Sequence, residues 1–179
     1  GIIITLFFMK NFKKGFTPTL SNKVSGFTLL ELLVVVAIIA IVISVTLVAL
    51  NDSKNKGADA AVKSNLNTIR GQSELFYSNN GNSFLPSGGS IFTITTCPVY
   101  NASGTNMLSK DKTIASAVAE AVNRGGNSSS CYNSSIAWAV AVGLKSSATA
   151  SWCVDSGGKS KQVASAPASA ISGTTFTCN

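Results

Sequence analysis

The chain contains no histidine. That removes the commonest general base and the commonest metal ligand. Acids are scarce as well, seven Asp and Glu against fourteen Lys and Arg. Apart from Glu31 they are Asp52, Asp59, Glu74, Asp111, Glu120 and Asp155, scattered singly, so no carboxylate pair offers acid–base chemistry. Serines are abundant, yet none stands in the elbow context that a G-x-S-x-G or S-x-x-K nucleophile requires. The four cysteines, Cys97, Cys131, Cys153 and Cys178, never form C-x-x-C, which argues against a zinc or thioredoxin-like site. The expectation is a protein that is not an enzyme and holds no metal and no cofactor. Asp155, in the glycine turn Asp155-Ser156-Gly157-Gly158, is the one candidate for calcium, and with a single acid nearby an ordinary turn is favoured.

The formal charge of +7 is unevenly spread. Residues 1–26 hold Lys10, Lys13, Lys14 and Lys23 and no acid, while residues 27–179 carry ten basic and seven acidic groups. That remainder forms no basic stripe with interleaved aromatics, so no specific nucleic-acid binding is expected.

What is present is one long apolar run. From Phe27 to Leu50 every residue is apolar or small except Glu31. As a helix with about 1.5 Å rise per residue it is about 36 Å long, more than the hydrocarbon core of about 30 Å. The four preceding lysines place the N-terminus in the cytoplasm by the positive-inside rule, with the distal part across the membrane. Cysteines confined to that distal part suit disulfides in an oxidising compartment. A secretory signal peptide has a shorter apolar core and a small-residue cleavage site; here Asn51-Asp52-Ser53-Lys54 follows instead. An uncleaved signal anchor explains the length and orientation but not a carboxylate within the run, which is costly without a partner.

The stretch Gly26-Phe27-Thr28-Leu29-Leu30-Glu31-Leu32-Leu33-Val34-Val35 resembles the cleavage and methylation motif of type IV pilins and type II secretion pseudopilins. The resemblance implies a cut between Gly26 and Phe27 by a prepilin peptidase on the cytoplasmic face, with N-methylation of the new Phe27 terminus. It further implies that Glu31 of one subunit meets the Phe27 amine of a neighbour in a filament, with Thr28 as the hydroxyl contact beside them. Two desolvated charges that satisfy each other would set the axial register. A plainer reading has Glu31 reaching the headgroups from near the helix end. Gly15-Phe16-Thr17 looks like a second site, but Pro18 follows and no acid or apolar run does, so it is read as a decoy. Met9 opens a basic leader of its own, which makes Gly1–Phe8 a candidate over-extended gene start. Unlike many pilins, Phe27–Leu50 holds neither Gly nor Pro.

Beyond Leu50 the pattern turns amphipathic. Val62, Leu66, Ile69, Ser73 and Phe76 share one helical face, and no proline occurs between Phe27 and Asn82. One helix is expected from about Phe27 to Ser78, ended by Asn79-Asn80-Gly81-Asn82, with Gly57 as a point of weakness or bend. Strands are expected over Ile91–Thr95 and Ile136–Leu144, and a hairpin over Trp152–Val163. Leu108–Asn123 reads as a helix capped by Asp111 or Ser109. Ala164–Ser172 is small and polar. Three N-x-S triplets, at Asn101, Asn127 and Asn133, match a glycan acceptor pattern and are read as coincidence.

These elements build an α+β fold, a long N-terminal helix on a small antiparallel sheet, and the pilin resemblance implies the same ladle-like form. The organisation read here is a leader over 1–26, a membrane and filament-core helix over 27–50, its amphipathic continuation over 51–80, and a disulfide-stapled head over 81–179. Four cysteines allow three pairings. The favoured one joins Cys97 to Cys131 and Cys153 to Cys178, the second resembling the C-terminal disulfide loop of many type IV pilins.

The functional expectation is a prepilin that is cleaved, N-methylated and polymerised into a type IV pilus or a type II secretion pseudopilus. Its implied partners are further copies and minor pilins, the prepilin peptidase/methyltransferase, and the inner-membrane assembly platform with its ATPase. Before assembly it would be a single-pass inner-membrane protein, and afterwards an extracytoplasmic filament. The alternative is a monomeric, signal-anchored extracytoplasmic binding protein, which needs neither cleavage nor Glu31.

Overall fold

A computed structural model describes residues 26–179. The basic leader, with Met9 and the Gly15-Phe16-Thr17 site, lies outside the described residues. Internal contacts divide the chain into two units, with the boundary between Ile43 and Ser44.

Helix α1 spans Leu29–Asn79, 51 residues. No proline interrupts it, and Gly57 lies within continuous helix. Its first half presents apolar side chains in every direction, among them Leu29, Leu33, Val36, Ile39, Ile43 and Leu50, and these are exposed. A helix apolar all round needs an apolar surrounding, lipid or other helices. Among the described residues α1 is the one helix long and apolar enough to cross a membrane. Farther on, Val62, Leu66, Ile69, Ser73 and Phe76 are all buried, so the face read from the sequence is the face that packs. Beyond Asn79 the side-chain amide of Asn80 donates to the Phe76 carbonyl at 2.8 Å, and the Asn82 amide reaches the Tyr77 carbonyl at 3.0 Å. Gly81 and Asn82 take left-handed backbone, at φ 65° and 60°, which turns the chain out of the helix.

The rest of the second unit is an antiparallel meander with helical insertions. Strands β1 (Phe92–Thr95), β2 (Ser129–Asn133), β3 (Trp138–Gly143), β4 (Ser151–Asp155) and β5 (Ser160–Val163) lie side by side in chain order. Short helices α2 (Met107–Lys110) and α3 (Lys112–Arg124) stand between β1 and β2, and α4 (Pro167–Ala170) follows β5. The amphipathic part of α1 covers one sheet face: Val62, Leu66 and Ile69 join Met107, Leu108, Ile114, Val118, Trp138, Val140, Val142 and Val154 in the main core. Each large side chain wholly buried there contributes roughly 1.5–3 kcal/mol of transfer free energy.

Four details differ from the sequence reading. The helix expected over Leu108–Asn123 is two helices broken at Asp111, whose extended backbone (φ −80°, ψ 117°) ends α2 while its side chain caps α3. Strand β2 was not foreseen, because Ser129-Ser130-Cys131-Tyr132-Asn133 is mostly polar; it is buried between β1 and β3. The strand expected from Ile136 begins at Trp138, and Ile136 is 82% exposed in the turn before it. Finally, β3 buries both faces. Ala139 and Ala141 pack with Tyr132, Cys153, Ala170, Ile171 and Cys178 in a second, smaller core. Alanines suit that face because the C-terminal segment lies close upon it.

Candidate processing and assembly site

The residues before α1 form an exposed approach to the helix. Gly26, Phe27 and Thr28 lie outside helix and strand and are solvent-facing. A Cβ placed on Gly26 would meet nothing within 4 Å among the described residues. No packing among those residues demands glycine at that position; such a demand would come from whatever handles the bond after it.

Thr28 is the N-cap of α1. Its hydroxyl accepts the Glu31 amide at 3.2 Å, and its carbonyl accepts the Leu32 amide at 3.3 Å. Glu31 answers from the first turn: Oε2 accepts the Thr28 amide at 3.0 Å and the Thr28 hydroxyl at 2.9 Å. This reciprocal arrangement is a capping box, which satisfies helix-end amides that have no partner within the helix. The carboxylate also sits at the positive end of the helix dipole. Sequence reasoning named Thr28 and Glu31 as a pair but missed this local role. The signal was there, as Thr28-Leu29-Leu30-Glu31 has the T-x-x-E spacing immediately before an apolar run. Leu29, Leu32, Leu33, Val36, Ala37 and Ala40 line a shallow apolar groove along the same part of the helix.

The cysteines lie far from this site in sequence, in the head. Cys97, just after β1, is bonded to Cys131 in β2 with Cα atoms 4.8 Å apart, and Cys153 in β4 is bonded to Cys178 with Cα atoms 5.8 Å apart. The second bond brings the chain end onto the sheet, where Asp155 holds it further. Asp155 is fully buried; Oδ1 accepts the Lys159 amide at 3.0 Å and Oδ2 the Cys178 amide at 2.8 Å. The Lys159 ammonium donates to the Cys178 carbonyl at 2.8 Å. The carboxylate considered for calcium thus acts as a backbone clasp. Tyr132 and Phe176 stack at 4.0 Å beneath the same segment. Of the three glycan-like asparagines, Asn133 is wholly buried, its Oδ1 accepting the Met107 amide at 2.8 Å, while Asn101 and Asn127 are exposed.

A membrane-length apolar helix with a single carboxylate capping its start, continuing into a helix that packs on a small antiparallel sheet, fits a membrane-anchored protein with a pilin-like α+β fold. Residues 21–47 match the family model described as the prokaryotic N-terminal methylation motif. The chain therefore carries the signal of type IV pilins and pseudopilins, which implies processing by a prepilin peptidase and assembly with other pilins. Comparison with curated proteins and with solved structures finds no match.

Proposed function

We propose that this chain is the precursor of a filament subunit: cut between Gly26 and Phe27, N-methylated on Phe27, and polymerised through Phe27–Leu50 into a type IV pilus or a secretion pseudopilus. The observation that carries this reading is the placement of Glu31. Its carboxylate stands at the start of an exposed apolar helix that bears the methylation motif. Cleavage would create a cationic amine at Phe27, and apolar helices packed side by side would remove both charges from water unless they meet. Both hydrogen bonds that the Glu31 carboxylate accepts from Thr28 run to Oε2, which leaves Oε1 for the amine of a neighbouring subunit. The leader would face the cytoplasm, where the peptidase acts. The head would stand outside the inner membrane, and the platform with its ATPase would drive extraction of the subunit into the filament.

The test is the intact mass of the chain extracted from membranes of cells with an active prepilin peptidase. The expected product begins at Phe27 and carries one methyl group. A leader still attached would favour the monomeric, signal-anchored binding protein instead. Gene neighbours encoding a pilus or a secretion ATPase separate the two kinds of filament.

A further inference from the structure

The apolar run ends at Leu50, and the head begins almost at once. Lys54 and Lys56 are exposed on α1 four and six residues farther on, about 6 and 9 Å along the axis. Lys54 lies within the depth of a headgroup layer, about 5–8 Å on each side of the hydrocarbon core, and Lys56 just beyond it, within reach of its long side chain. The first element of the head to meet α1 here is the β3–β4 loop. Asp59 draws it in: Oδ1 accepts the Lys145 amide at 2.6 Å and the Ser146 amide at 3.4 Å, and Oδ2 accepts the Ser146 hydroxyl. Asp59 is buried in making these bonds, whereas Lys145, Ser146 and Thr149 are exposed. Lys54 and Lys56 on α1 and Lys145 on the loop bonded to Asp59 are thus three exposed ammonium groups along this stretch of the chain, with Asp52 as an exposed acid among them.

We infer that this stretch is a binding surface for anionic phospholipid headgroups, used while the subunit is anchored in the bilayer. The partner follows from position and charge together: the surface begins just beyond the apolar run, and its exposed ammonium groups outnumber its acid. A basic group held near an anionic leaflet contributes about 1 kcal/mol, or roughly fivefold in local lipid preference. Asp52 offsets part of that. The inference rests on the membrane-anchored reading of Phe27–Leu50 and not on polymerisation.

The experiment uses the full chain reconstituted into phosphatidylcholine vesicles that contain a minority of phosphatidylglycerol, after flotation has shown insertion. Energy transfer from the tryptophans to acyl-chain pyrenyl phosphatidylglycerol is compared with transfer to pyrenyl phosphatidylcholine. The expected result is several-fold enrichment of the anionic lipid. It should be lost when salt shortens the screening length from about 10 Å to about 3 Å, and lost in the K54Q/K56Q/K145Q variant. Exposed lysine-to-glutamine changes leave the core intact; K110Q/K112Q, on α2 and α3, is the control that retains enrichment. Equal transfer to both lipids, or enrichment that survives in the triple variant, overturns the inference. Failure to float with the vesicles would instead overturn the membrane anchor itself.

Discussion

Cys178 is held to strand β4 at two points two residues apart: its sulfur is bonded to Cys153, and its amide donates to Asp155 Oδ2 at 2.8 Å. Residues i and i+2 of a strand share a face, so covalent bond and carboxylate clasp the chain end onto one side of the sheet. The disulfide restricts the unfolded chain, whereas the carboxylate satisfies amides that burial would otherwise strand.

The two attachments should therefore be separable. In the loop-closure view the Cys153–Cys178 bond, spanning 25 residues, stabilises by about 3 kcal/mol. Asp155→Ala strands two amides, at about 1–3 kcal/mol each. Denaturant unfolding should show a loss of roughly 3 kcal/mol for either Cys153→Ser/Cys178→Ser or Asp155→Ala. Hydrogen exchange should show the Cys178 amide still protected in the disulfide-free variant and open when both changes are combined. Protection unchanged in the combined variant would mean that Ile171, Ala170 and the Tyr132–Phe176 stack hold the tail alone.

Asp111 works at another junction. Oδ1 caps α3 through the Ile114 amide at 2.9 Å, and Oδ2 accepts the Gln72 side-chain amide of α1 at 3.0 Å. Asp111→Ala is expected to lower stability by about 1–2 kcal/mol, the range for losing an N-cap, and Gln72→Ala by less, since Asp111 keeps its capping bond. Thermal unfolding of the two variants and their combination tests this. A Gln72→Ala loss as large as that of Asp111→Ala would show that the interhelix bond matters more than the cap.

The apolar run, the amphipathic face of α1 and the β4–β5 hairpin were legible because each is periodic. Val62, Leu66, Ile69, Ser73 and Phe76 repeat at helical spacing, and Trp152-Cys153-Val154 leads into a glycine turn. What was not legible depended on tertiary contact. Strand β2 is built of Ser, Cys, Tyr and Asn, and only its neighbours on both sides make it a strand. The carboxylate at the Asp111 break has a second partner in Gln72, distant in sequence. The role of Asp155 was hidden likewise, because the Cys178 amide reaches it only once the chain end has folded back. At the site, the residues at 26–31 could be named from their order, but their geometry could not. A motif read for what it does between molecules drew attention away from the capping box within one.

Gly26 offers a test of where the demand for glycine arises. Its Cβ position is open among the described residues, and it precedes the helix far from the head in sequence, so Gly26→Ala should leave the head's stability unchanged within about 0.5 kcal/mol, as for surface changes elsewhere. Leader removal, followed by the mobility or mass of the membrane-bound chain, should be slowed severely if a peptidase pocket reads this position. Normal processing of Gly26→Ala would show that recognition rests on other residues of the motif.

The last prediction separates the two tasks given to Glu31. Glutamine at the third helical position can still accept the Thr28 amide, so Glu31→Gln retains the capping box and loses only the charge. Glu31→Ala loses both, and the cap is worth about 1 kcal/mol to the helix start. Thr28→Ala keeps the charge and removes the hydroxyl that accepts the Glu31 amide at 3.2 Å. If Glu31 serves assembly by pairing with the Phe27 amine of a neighbour, filament yield should collapse in both Glu31 variants and fall only modestly in Thr28→Ala, with leader removal intact in all three. If its role is the cap alone, Glu31→Gln should assemble like the parent, and Thr28→Ala should fail alongside Glu31→Ala. Sheared filament yield, measured against cleaved subunit in the membrane, distinguishes the two patterns, because charge and cap fail in different members of the series.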